Sequence, residues 1–267
     1  MTKMSIAAAG AILFAATATG AISPRADDPA VANAIAAAVA HTSRPESDRV
    51  QDAQRKPGLL LAFAGVRPGL VVADFWPAGG YITRLLSRVV GSNGRVYAVA
   101  PKEVTDVAPP TAALVRSIDA DPTTPNVSAY ATPATSFMAP EALDLVWTTQ
   151  NYHDFFPEGF EAIDSMAFNR PVFKSLKPGG IYLVSDHVAE CGSGTRDSGR
   201  LHRIDRRFVM NEVLTAGFEF VEELPVLRNS NDNHSLSIFD DAIRGRTDQF
   251  VYRFRKPDRG LSENMCL

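Results

Sequence analysis

Four of the five histidines in this 267-residue chain sit in short polar clusters. His153 falls in "NYHD" (Asn151 to Asp154), His187 follows Asp186 in "SDH", His202 lies in "LHRID" and His234 in "NSNDNHS". An imidazole beside a carboxylate moves protons near neutral pH: the carboxylate orients the ring, and the neutral ring takes a proton from a hydroxyl or amine. His153 is the preferred base, with Asp154, Asp186 and His187 as the other catalytic candidates. Imidazole and carboxylate also suit a divalent ion, but these residues show no compact ligand spacing, so no metal is expected. Each position has a structural alternative. His153 and Asp154 can cap a helix after the preceding strand, Asp205 reads as an N-cap, and His202 and His234 read equally well as solvated loop residues.

The elements that must hold these residues are legible as apolar runs. "LVVADF", "RVYAVA", "LDLVWTT" and "IYLVSDHV" are buried-strand candidates, "NVSAYATP" is a weaker one, and helical patterns alternate with them at βα spacing. In an open sheet of this kind ligands bind beyond the carboxyl ends of the strands, where "NYHD" and "DH" fall. "WPAGGY" is a glycine turn from the first strand into the helix "YITRLLSRVV". The helix start favours an anion, and the alternative is a turn used only for packing. Near the end, "FEFVEELPVL" and "QFVYRFRKP" read as two strands with no crossover helix between them. The fold class is therefore α/β, a mostly parallel sheet closed by an antiparallel strand pair, with helices on both faces.

Composition sets outer bounds. With 27 basic and 30 acidic residues the formal net charge is -3, which gives no electrostatic reason for a nucleic-acid partner. Residues 1–21 combine one lysine, an alanine-rich apolar run and small residues suited to signal peptidase. They read as a signal peptide, too short and weakly apolar for a membrane span, on an exported, periplasmic chain. Residues 22–56 read as a helical extension with Asp28 capping its first helix, residues 57–257 as the main domain and residues 258–267 as a tail. Cys191 and Cys266 are the two cysteines, and their spacing leaves open whether they pair.

The whole order, from the strand and glycine turn through "LDLVW", "LKPGGIYLVSD" and "AGFEFVEE" to a last strand, resembles the class I S-adenosylmethionine-dependent methyltransferases over roughly Leu59 to Pro257. Within that superfamily the chain is similar to a group of predicted exported bacterial methyltransferases, on the strength of "WPAGGY", "NYHDF", "SDH", "LHRID" and "IRGRTDQFVYRFRKP". The resemblance implies a Rossmann-like methyltransferase fold and methyl transfer from S-adenosylmethionine to an unidentified small-molecule acceptor. It implies cofactor binding at Asp74, Gly79, Gly80, Tyr81 and Asn151. The alternative is an exported ligand-binding protein, or an enzyme of another class, that keeps the fold. Three departures stand out. The glycine positions of the family turn fall on Trp76, Ala78 and Gly80; Ala100 replaces the acid that holds the ribose, with Glu103 the nearest acid; and Thr132 stands where an acid often meets adenine.

Overall fold

The computed structural model describes residues 28–156 and 163–258. The signal-peptide reading and Cys266 lie outside these residues, and Cys191 is exposed. The chain opens with α1 (Pro29–Ala40), two single turns α2 (Glu46–Arg49) and α3 (Asp52–Arg55), and α4 (Pro57–Ala64). Then follow β1 (Val71–Phe75), α5 (Tyr81–Val90), β2 (Arg95–Pro101), α6 (Lys102–Thr105), α7 (Pro109–Asp119), β3 (Val127–Thr132) and β4 (Leu143–Thr149). The second half contains α8 (Ser165–Ser175), β5 (Leu176–His187), α9 (Ser198–Leu201), α10 (Arg206–Thr215), β6 (Glu219–Glu223) and β7 (Gln249–Arg255).

The strands form one sheet in the order β3-β2-β1-β4-β5-β7-β6. Strands β1 to β5 pair in parallel, and β7 runs antiparallel to both β5 and β6. Side-chain alternation divides the core between two faces. Val72, Val96, Trp147, Leu183 and Val251 meet α1, α4 and α5 on one face. Ala73, Tyr97, Val146, Tyr182 and Phe254 meet α8 and α10 on the other. Helix α5 shows why it docks: Ile82, Leu85, Leu86, Val89 and Val90 recur at helical spacing and all are buried.

The amino-terminal extension shares this core, since Val31, Ile35 and Ala38 of α1 pack in the same cluster as Leu61 and Leu85. Its first helix is capped by Asp28, which accepts from the Ala30 amide at 2.8 Å. Asp205 likewise caps α10 through the Arg207 amide at 2.9 Å. His153 and Asp154 cap no helix here. They lie in a single 3-10 turn, His153–Phe155, and Asp164 caps α8 instead.

Candidate active site

The chain reverses its strand order between β1 and β4, so the crevice beyond their carboxyl ends is the place where this topology takes a ligand. A cavity of about 370 Å³ lies there. One side is built from the β1 and β4 ends: Asp74, Trp76, Gly79, Tyr81, Asn151 and Asp154. The opposite side comes from α2 and α3 through Ser47, Asp48, Gln51 and Arg55.

The turn after β1 has an unusual backbone. Trp76, Ala78 and Gly80 all adopt positive φ, at 60°, 46° and 80°. These are the alternating positions that the family pattern reserves for glycine, and here two side-chain-bearing residues hold the left-handed conformation at a local cost of about 1–2 kcal/mol each. The two glycines differ in what they face. A Cβ on Gly79 would meet nothing within 4 Å, in open space beside the cavity. A Cβ on Gly80 would lie 2.8 Å from Arg84 Nη1 and 3.1 Å from Ile118 Cγ1, so Gly80 serves helix packing and does not line the cavity.

Asp74 is buried and accepts a hydrogen bond from Thr83 Oγ1 at 2.6 Å. Burial raises its pKa to about 7, against the opposing Thr83 hydrogen bonds. Asn151 is held by its amide, Nδ2 donating to the carbonyls of Phe75 and Trp76 at 3.0 and 3.2 Å. Its Oδ1 is buried and has no hydrogen-bond partner. A buried acceptor left without a donor costs about 1–3 kcal/mol, which a ligand donor would recover.

The α2–α3 wall is fastened by charge. Arg84 of α5 makes a two-pronged pair with Asp48, at 2.7 and 2.8 Å. Asp52 takes two bonds from Arg44, at 2.7 and 2.8 Å, and a third from the Tyr81 hydroxyl at 2.7 Å. Arg55 stacks 4.6 Å from the Tyr81 ring centre and donates to Gln150 Oε1 at 2.9 Å. Among the described residues no carboxylate makes a direct salt bridge with Arg55, although the charges of Asp48 and Asp74 act on it from nearby, and the guanidinium lines the cavity. Desolvation by burial lowers its pKa.

A second cavity of about 420 Å³ adjoins the first, and the two share Gln51, Arg55 and Gln150. It is lined further by His187, Phe239, Thr247 and Gln249. Behind both lies the histidine cluster. Asp186, buried at the end of β5, accepts from His153 Nδ1 at 2.8 Å and from the His153 amide at 2.8 Å. The other nitrogen of His153, Nε2, lies 3.3 Å from Asp154 Oδ1 and 3.3 Å from His202 Nδ1.

The two neighbouring histidines are driven in opposite directions. Burial alone would lower the pKa of His153, but the Asp186 charge and the hydrogen bonds of Asp154 and Asp186 raise it to about 10. Burial lowers His187 to about 3, and the nearby Asp186 does not offset it. Burial would raise Asp154, yet its contacts with His153 and His202 hold it down at about 2. His187 Nδ1 lies 2.7 Å from Thr247 Oγ1, and its second ring nitrogen has no hydrogen-bond partner among the described residues.

The structure thus gathers Asp74, Gly79, Tyr81, Asn151 and Asp154 around one cavity, places His187 on the adjoining one, and leaves His153 and Asp186 as a buried pair that lines neither. His202 joins the cluster, whereas His234 binds Asp248 in the loop before β7 and lines neither cavity. Glu103, nearest to the missing ribose acid, is occupied at the Ala134 amide and does not line the cavity. Sequence reasoning missed Asp48, Gln51, Arg55 and Gln150. The mixed charges of "SRPESDRVQDAQR" were the only trace of the first three in the sequence, and Gln150 directly follows the strand candidate "LDLVWTT".

No known family profile matches the chain, and no curated protein matches it in sequence. Solved structures match it in fold. A SAM-dependent methyltransferase from Aquifex aeolicus superposes with a TM-score of 0.52 at 15% identity, over 81% of this chain and 96% of that one. A second S-adenosylmethionine-dependent methyltransferase, from Mesorhizobium loti, gives 0.53 at 15% identity, over 77% and 99%. The [4+2]-cyclase SpnF gives 0.56 at 15% identity, over 85% and 93%. At that identity the shared property is the fold: a Rossmann-like sheet of the class I methyltransferase type, as the sequence pattern led one to expect.

Proposed function

We propose that this protein transfers a methyl group from S-adenosylmethionine to a small-molecule acceptor. The reading is carried by one observation: a cavity at the strand-order reversal whose wall presents an arginine without a direct salt bridge, Arg55, and an unpartnered buried acceptor, Asn151 Oδ1. An amino acid's carboxylate and ammonium groups complement that pair, so the residues present fit the amino-acid end of the cofactor. At the ribose end the side chain of Ala100 offers no hydrogen bond, and binding there relies on backbone and shape. When bound, adenosylmethionine supplies an electrophilic methyl group on a positively charged sulfur.

Arg55 holds the carboxylate, Asn151 accepts from the ammonium, and Gly79 lets the backbone come close without a side chain between. The acceptor occupies the neighbouring cavity, where His187, its Nδ1 steadied by Thr247, orients it by accepting a hydrogen bond on the second ring nitrogen. His153, the base first expected from the sequence, lines neither cavity and is held in place by Asp186 through its ring Nδ1 and its amide.

We also read the chain as exported, on the amino-terminal pattern of residues 1–21. Intact-mass measurement on protein from the native envelope tests this, and retention of those residues overturns it. Among the described residues no helix is long and apolar enough to cross a membrane.

Calorimetry with adenosylmethionine and its demethylated product is the primary test of function. Binding of both to folded protein is the expected result, followed by transfer of labelled methyl to acceptors in a small-molecule screen. No heat with either ligand on well-folded protein overturns the proposal in favour of a fold that has lost the cofactor.

A further inference from the structure

His153, Asp154 and His202 are separated in sequence, yet their ligand atoms converge. His153 Nε2 lies 3.3 Å from Asp154 Oδ1 and 3.3 Å from His202 Nδ1, and the last two are 3.6 Å apart. The three atoms form a nearly equilateral triangle. Bonds of about 2.0–2.1 Å to zinc set the edge of a coordination tetrahedron at about 3.3–3.4 Å, whereas an octahedron with similar bonds has edges of about 3.0 Å. The observed triangle fits the tetrahedron.

From this convergence we propose that His153, Asp154 and His202 bind a Zn²⁺ ion, with the fourth position left for a water or a ligand atom. The surroundings support this in two further ways. Asp186 accepts from His153 Nδ1 at 2.8 Å, the outer carboxylate that fixes a ligating imidazole so that Nε2 faces the ion. His202 is held in a left-handed backbone conformation at φ 54°, with its ring packed edge-on to Phe239 at 4.9 Å between centres. Both constraints aim a ring at one point. Asp154 also lines the cavity at the β1 and β4 ends, so the ion would border the site. Three protein ligands with an open position are the arrangement of zinc sites that polarise a bound oxygen, rather than of closed structural sites.

Metal binding does not depend on methyl transfer and is measured without adenosylmethionine. Untagged, chelator-treated full chain is titrated with Zn²⁺ alone, in competition with a chromogenic chelator at neutral pH. The expected result is one ion per chain with a Kd of about 1 µM or tighter. His202→Ala and Asp154→Asn should each weaken binding at least tenfold, and His234→Ala should leave it unchanged, with circular dichroism showing all three folded. Two substitutions guard against one failing to fold. Co²⁺ in place of Zn²⁺ should give the intense visible bands of a tetrahedral site. Absence of stoichiometric binding, undiminished affinity in the folded His202→Ala and Asp154→Asn proteins, or a weak octahedral cobalt spectrum each overturns the proposal.

Discussion

Asp186 grips His153 twice, taking the ring Nδ1 on one carboxylate oxygen and the main-chain amide on the other, each at 2.8 Å. Its first oxygen also accepts from the His187 amide at 2.7 Å. One buried side chain therefore sets the positions of two histidines on neighbouring elements. Asp186→Asn replaces an acceptor by a donor facing main-chain donors. Removing one member of a buried charged pair costs about 3–5 kcal/mol. Urea unfolding of Asp186→Asn should show a loss in that range, and a loss below about 1 kcal/mol would mean the grip contributes little.

The two glycines of the turn should respond differently to the same substitution. Gly79→Val places its side chain in open space beside the cavity and should keep the melting temperature while abolishing adenosylmethionine binding. Gly80→Val must hold φ near 80° and displace Ile118, and should lose at least about 1–2 kcal/mol of stability. Thermal unfolding beside calorimetry separates the two. Equal stability for Gly80→Val, or undisturbed binding by folded Gly79→Val, refutes this division of roles.

Arg55 should matter only to ligands that carry an amino-acid end. Losing one charge-assisted hydrogen bond costs about 1.5–3 kcal/mol, so Arg55→Met should weaken S-adenosylhomocysteine roughly tenfold to a hundredfold. Binding of 5′-methylthioadenosine, which lacks the carboxylate, should be unaffected. Equal weakening of both ligands would assign Arg55 a general packing role against Tyr81.

Asp74 gives a pH signature. Burial raises its pKa to about 7, above the unfolded carboxyl value near 4, so the folded protein holds this proton more tightly. The stability it contributes is complete below about pH 4 and is lost as pH rises through about 7. Asp74→Asn has no such proton. Its unfolding free energy, relative to wild type, should climb between about pH 4 and pH 7 and level off above. Parallel pH curves for the two proteins would show that Asp74 does not titrate as described.

Much of the frame was legible because apolar side chains report their own burial. "LVVADF" became β1 and "QFVYRFRKP" became β7, antiparallel to β6 as the missing crossover helix implied. The glycine pattern was legible in a subtler way: Trp76 and Ala78 stand where glycine was expected, and the backbone adopts positive φ there regardless of the side chain. Two features were not legible. The turns α2 and α3 have no periodic apolar face, and they dock through ion pairs such as Arg84 with Asp48, 36 residues apart. The convergence of His202 on His153 spans 49 residues and depends on how the chain after β5 folds back, which no local spacing encodes.

The wall formed by α2 and α3 has a consequence for how this pocket can change. Among the described residues its ties to the sheet side are side-chain bonds, from Arg84, Tyr81 and Gln150, and no main-chain ladder joins it to a strand. Four of the residues that line the cavity, Ser47, Asp48, Gln51 and Arg55, therefore sit on a short stretch that contributes no strand to the sheet. A chimera that exchanges residues 45–56 while keeping Asp48 and Asp52 would alter selectivity without recasting the scaffold. Over evolutionary time, ligand preference could drift along this short stretch while the seven strands stay under a separate constraint.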